Sequence, residues 1–352
     1  MKSTTALMAI LLAAPACSSD DSQDTGADAT YQQQVVTGMH AALLTDVKAL
    51  NAAAVDLKAA APSPAGRGWD ATQDATAITA MTNAWLRARA AYERTEGALA
   101  PLFPDTDEAI DFRYEDFLEG VAGGDQDLFD NEGVTGMHAV ERILFASTMP
   151  PAVVEVESSL PGYKAAAWPG NEAEARAFKN ELCDQLVKDT QALAEQWEAQ
   201  TSFDLPGAFN GLIALMDEQR EKVNKAASQE EESRYAQRTL ADLRDNLAGT
   251  TRIYALFQDW LRSKANGATI DADIEASFKS LDTTYNGFTG DALPQPSATW
   301  SSENPSPADL QTPFGRLYSA VQKAVDPNVS GSAVDGMNRA ARALGFPGLV
   351  EE

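Results

Sequence analysis

The chain has 352 residues, 44% of them hydrophobic, which is enough for one large core or two smaller ones and excludes general disorder. Its 52 acidic and 27 basic residues leave a formal charge of −25. Such a surface repels phosphate backbones and anionic membranes, which excludes nucleic acid as a partner, and it concentrates cations.

Lys2, the apolar run 6–14 and the small-residue stretch Ala14-Pro15-Ala16-Cys17 look like a bacterial lipoprotein signal peptide over residues 1–16. The apolar run is too short to remain as a spanning helix. Cleavage there makes Cys17 the lipidated first residue of an exported protein. The protein would then sit in the bacterial cell envelope, periplasm-facing or on the outer membrane, held to the bilayer through the lipid alone. A plain cut after Ala16 is the alternative. Residues 17–30 are polar and acidic without an apolar period, and they read as a disordered tether. With Cys17 lipidated, Cys183 stands alone, so no disulfide forms within the chain, and it reads as a packed small apolar residue.

From residue 31 onward the apolar periods are helical and no alternating strand pattern occurs. Val35, Met39, Leu43, Val47 and Leu50 predict a first helix that stops before Pro62-Ser63-Pro64. A second is predicted over 72–100, with Trp85, Tyr92 and Leu99 as its apolar stripe. An acidic connection with a short helix near 111–121 follows, and Thr135 is placed to cap the helix that carries His138. Prolines 150, 151, 161 and 169 mark a loop before a helix over 171–200. Asp204 opens another through 223. Ser228 and Glu231 have capping-box spacing, which predicts a long helix carrying Tyr235, Leu243, Leu247, Tyr254, Phe257 and Leu261. Segments 270–285, 307–325 and 332–344 complete an all-α protein of packed bundles, with halves of about 31–200 and 201–352.

Two patterns carry chemistry. His138 and Glu141, at i and i+3, project from one helix face. On a helical wheel Glu141 falls inside the sector of Met137, Val140, Ile143 and Leu144, and His138 lies at its edge. A carboxylate facing inward needs compensation, from an ion pair with the imidazole or from a bound cation. On the second helix Glu96 falls within the apolar stripe and Glu93, one turn earlier, lies at its edge; Arg89 on the same face could offset them, or a cation could be shared. The hexapeptide Val-Thr-Gly-Met-His-Ala occurs at 36–41 and again at 134–139, so both histidines of the chain lie in it. Three residues after His40 stands Leu43, so that copy lacks the carboxylate, and His40 reads as a helix-face or core histidine.

Tyr92-Glu93-Arg94-Thr95-Glu96, Leu102-Phe103-Pro104-Asp105, Ile110-Asp111-Phe112-Arg113, Asp116-Phe117 and Gly136-x-His138-x-x-Glu141, in this order, resemble the imelysin-like proteins. Within that family the resemblance is to the periplasmic Efe-type iron-uptake lipoproteins. It continues through 212–218 and 235–250, with a departure at Ala236, Gln237, Arg238 and Thr239, where the family often has Ser-His-x-Asp. The resemblance implies an all-helical fold of two bundle-like halves with a metal site at the Gly136 motif. It implies His138 and Glu141 as metal ligands, Glu96 and Asp111 as further oxygen donors, and Glu93 and Glu218 as additional candidates. Such a set suits ferric or ferrous iron, with zinc or manganese as alternatives. Arg113 or nearby acids are candidates to orient the imidazole. The implied function is capture of iron for uptake through an inner-membrane permease.

Two other readings remain at this stage. A metallopeptidase of the imelysin type usually needs two histidines, an open position and a separate base, yet the chain has no His-Glu-x-x-His and Glu141 cannot easily be both ligand and base. A helical surface module that binds no metal would keep His138 and Glu141 as a structural pair.

Overall fold

The structure, a computed structural model, describes residues 24–120 and 123–348. The signal peptide and Cys17 lie outside the described residues. Helix α1 spans Asp24–Ala60, so 24–30, read from composition as tether, are helical. Asp28 explains this locally. Its carboxylate accepts from Trp260 Nε1 at 2.9 Å and from Lys264 at 2.7 Å, which fastens the start of the helix to the second half of the chain.

The apolar stripe of α1 (Val35, Met39, Leu43, Val47, Leu50) is buried. It packs on α2 (Ala75–Glu93) and, after the short helices α3 (Glu96–Leu99), α4 (Pro104–Asp111), α5 (Tyr114–Gly120), α6 (Gly136–Leu144), α7 (Pro151–Glu157) and α8 (Glu172–Ala177), on α9 (Cys183–Ala199). A π-helical turn at Phe178–Leu182 joins α8 to α9, so the helix expected over 171–200 is continuous with one bulge. Cys183 is buried there as a free thiol, and burial pushes its pKa up, away from nucleophilic chemistry.

The second half contains α10 (Leu205–Lys225), α11 (Thr239–Tyr254), α12 (Gln258–Arg262), α13 (Gly267–Asn286), α14 (Pro313–Val325) and α15 (Ala333–Ala343). Thr312 and Ser332 cap α14 and α15 by accepting from the amides of Gly315 and Asp335. The halves meet where α10 packs on α3 and α11 packs on α2. All regular elements among the described residues are helical.

Two differences from the sequence expectation shape the site. The helix expected over 72–100 breaks at Arg94 and Thr95. The hydroxyl of Thr95 donates to Tyr92 O at 2.8 Å, and α11 approaches so closely that a Cβ on Gly249 would lie 2.3 Å from Arg94 O. The break turns Glu93, rather than Glu96, fully inward. The capping box at Ser228 does not open a helix. Residues 226–238 are irregular, Ser228 donates back to Lys225 O at 3.1 Å, and the next helix starts at Thr239. The reason is charge: Glu231, Glu232, Ser233, Arg234 and Arg238 are all buried in this stretch. Consecutive polar side chains can all turn inward only if the backbone abandons a single-faced helical period.

Gly136 fixes where α6 begins. It has φ +83°, and a Cβ there would sit 2.5 Å from Ile110 O at the end of α4. Trp85 Nε1, donating to Met137 O at 3.0 Å, holds the same turn from α2. Gly136→Ala is therefore expected to destabilise the fold by about 1–3 kcal/mol and to move His138 away from Asp111. A thermal midpoint equal to that of the wild type would contradict this account.

Candidate metal centre

Four elements converge in the seam between the halves. Helix α6 supplies His138, 3% of whose side chain is exposed. Its Nδ1 lies 2.8 Å from Glu141 Oε2, one turn along the same helix. The other oxygen of Glu141 accepts from the amides of Tyr235 at 3.1 Å and Ala236 at 2.8 Å. Those donors belong to the irregular segment before α11, so Glu141 is held by the second half and in turn fixes the imidazole.

The ring's other nitrogen, Nε2, is buried without a hydrogen-bond partner. It faces Asp111 Oδ1 at 3.4 Å and Glu232 Oε1 at 3.7 Å. Asp111 ends α4 and Glu232 lies in the irregular segment. One ligating atom from each of Asp111, His138 and Glu232 fits within 4.8 Å of the others. A buried imidazole nitrogen facing two carboxylate oxygens, its opposite face tied to a carboxylate, is the donor geometry of a cation site with an oriented histidine.

The other acids expected at the site are distributed around it. Glu93 is fully buried against Arg89, and Asn246 Nδ2 donates to its Oε2 at 2.6 Å. Glu96 takes Lys222 Nζ at 3.2 Å and Asn246 Nδ2 at 2.9 Å. Glu218 is exposed on α10, one turn before Lys222. Glu141 stands on the Nδ1 side of the ring, so one ion at Nε2 would meet Asp111 and Glu232 before Glu141. Arg113 lies in the same region, donating to Glu230 O at 2.6 Å and standing 3.7 Å from Glu232, while the imidazole is oriented by Glu141. His40 lies outside this cluster and stacks on Trp197 at a ring separation of 5.8 Å.

Sequence reasoning passed over Glu232. Its only signal was the run Glu230-Glu231-Glu232, which in a helix reads as a solvated face. The neighbouring positive charges were the missing cue: Lys222 and Arg234 flank that run, and each contacts acids across the seam.

Electrostatics separates the acids by role. Burial raises the carboxyl of Asp111, an effect the opposing Arg89 and His138 only partly offset. Burial would also raise Glu232, but Lys222, His138, Arg89 and Arg113 together hold it well below the usual carboxylate range. Glu231, buried beside it, is pushed up to about 7 by desolvation despite hydrogen bonds from Gln237 and Thr239. Asp107, whose carboxylate accepts from Tyr92 Oη at 2.7 Å, is likewise raised to about 7 by burial. Excess carboxylate is thus stored here at a cost that a cation would relieve.

The chain is 26% identical over 238 residues to the iron uptake system component EfeM of Pseudomonas syringae pv. syringae (strain B728a), a match that covers 65% of this chain and 69% of that protein. A crystal structure described as that of a candidate iron-regulated protein A precursor from Parabacteroides distasonis ATCC 8503 aligns over 90% of this chain and 94% of its own, with a TM-score of 0.48 and 14% identity. Residues 18–306 match the imelysin family, and the chain belongs to it.

Proposed function

We propose that this protein captures iron in the bacterial cell envelope and presents it to a membrane permease. The observation that carries the reading is the buried, unpartnered Nε2 of His138 facing Asp111 and Glu232. One imidazole with hard oxygen donors suits ferrous or ferric iron, and manganese or zinc less selectively. The similarity to a protein described as an iron uptake component supports iron as the cargo. The family match begins at residue 18, directly after Cys17, which is consistent with Cys17 as the lipid-bearing start of the mature protein. Among the described residues no helix is long and apolar enough to cross a membrane. A net charge of −25 raises the local concentration of cations around the site.

Peptidase chemistry is less well served. A general base must be free to take a proton from water, and both oxygens of Glu141 are occupied, by His138 on one side and two backbone amides on the other. The candidate donor group holds a single imidazole.

Protein purified without added metal is expected to take up about one iron per chain, read by elemental analysis and anaerobic titration. His138→Gln and Glu232→Gln should each lose most of that affinity. Glu141→Gln should cost about 10–100-fold, as for a residue that orients a ligand. Unchanged binding in His138→Gln and Glu232→Gln would overturn the assignment.

The ion must also compete with a proton. Burial disfavours the charged imidazole, but the negative charge of Asp111, the hydrogen bond to Glu141 and the nearby Glu232 carboxylate outweigh it and raise His138 to about 9. Because this lies above the ordinary 6.5, the protonated ring stabilises the metal-free fold fully below about pH 6.5, and that contribution is lost as pH rises through about 9. Binding of manganese(II), a probe that stays soluble, is therefore expected to tighten between pH 7 and 9. Near pH 7 it should release a proton, detectable by calorimetry in buffers of different ionisation enthalpy. A pH-independent affinity would remove His138 from the ligand set.

A further inference from the structure

The cation already buried in the site is Arg89. Its side chain is fully buried and sits among four carboxylates. One end of the guanidinium donates to Asp111 and, through Nη2 at 2.6 Å, to Glu232. The acceptors, Asp111 Oδ1 and Glu232 Oε1, are the same two atoms that face His138 Nε2. Arg89 therefore holds both oxygens that an ion at Nε2 would take.

The same Nη2 also pairs with Glu93, while Nε stands 3.9 Å from Asp242 Oδ1, an oxygen beyond hydrogen-bond distance and already held by Arg238. Arg89 Nε and Asp242 Oδ2 are both buried and lack a hydrogen-bond partner. Asp242 lies on α11, packed against α2, and is itself fully buried. A buried donor on Arg89 and a buried acceptor on Asp242, residues of two packed helices, thus both lack a partner. A buried charge cannot be abandoned without a partner, and here an alternative partner is in place.

We propose that Arg89 is a displaceable counter-cation. When an ion enters between His138, Asp111 and Glu232, the guanidinium releases those two carboxylates, keeps Glu93 and closes onto Asp242. Repulsion between the ion and the guanidinium drives the exchange, since both compete for the same oxygens. The metal-free and loaded sites are two arrangements of one salt-bridge network, and the free energy between them lowers the affinity so that the ion can be handed on. Asp242 is a positioning residue that acts through Arg89 and does not touch the ion. This inference rests on the metal reading above.

The test is anaerobic titration of ferrous iron into the wild type, Arg89→Gln and Asp242→Asn, with release to a chelator followed in time and thermal midpoints measured with and without iron. Arg89→Gln should bind about tenfold more tightly and release more slowly, and its midpoint should fall more in the metal-free state than in the loaded one. Asp242→Asn should do the reverse to binding, weakening it about tenfold, because Arg89 has lost its second partner. It retains Arg89 and all its present contacts with Asp111 and Glu232, so it carries the test even if Arg89→Gln does not fold. A purely structural role for Arg89 predicts weaker binding in both variants and equal falls in both midpoints, and either result would overturn the proposal. Absence of binding by the wild type would instead refute the metal reading and remove the basis for the exchange.

Discussion

The structure depends on charges being neutralised inside the seam between two helical halves. The first half brings Arg89, Glu93, Glu96, Asp111, His138 and Glu141 to that seam; the second brings Lys222, Glu232, Arg238, Asp242 and Asn246. Each half alone would expose a set of partly unpaired ions, and each supplies what the other lacks. Lys222 of α10 meets Glu96 of α3, and Arg89 of α2 meets Glu232 of the irregular segment. Hydrophobic residues of similar volume would hold the halves together at least as firmly, because the desolvation of buried ions consumes most of their mutual attraction. A seam built this way is therefore better explained by chemistry than by stability.

The irregular segment 226–238 follows from the same constraint. Tyr235 and Ala236 donate their amides to Glu141, which a helical backbone could not do because those amides would be committed to carbonyls four residues earlier. Tyr235 Oη donates to Glu157, which also accepts from Arg142 at 2.9 Å, so the segment is anchored to α6 and α7 as well as to the site. Giving up a helical turn there frees donors that fix the acid behind His138. The departure from the family pattern at Ala236, Gln237, Arg238 and Thr239 leaves this function intact, since the two amides come from the backbone; Arg238 adds an ion pair with Asp242.

Helical periodicity made most of the fold legible: the stripe of α1, the helix of His138 and the last helix from Ser332 follow from local rules, whereas the helix expected over 307–325 begins only at Pro313, after the Thr312 cap. The candidate centre was only half legible. His138 and Glu141 announce themselves through an i,i+3 spacing, and Asp111 through an ordered series of motifs. Glu232 does not, because its position depends on where a non-periodic backbone turns, and that is decided by partners distant in sequence, Arg89 and His138 among them. The inward turn of Glu93 was hidden for a related reason. The break at Arg94 and Thr95 is imposed by the close approach of α11 at Gly249, and no residue within α2 signals it.

The duplicated hexapeptide isolates what the site requires. His40 and His138 share four residues on their N-terminal side and the alanine that follows, yet only His138 belongs to a cluster of acids among the described residues. At the equivalent of Glu141 the first copy has Leu43, fully buried in the apolar core of α1. The i+3 carboxylate is missing there, and the ring stacks on Trp197, with the His40 backbone carbonyl accepting from the Trp197 indole at 3.1 Å. An imidazole in an apolar seam is a packing unit. It becomes a candidate ligand only where one nitrogen is tied and the other is left facing negative charge, and in this chain that difference comes from one carboxylate on the next turn and two more brought by separate elements.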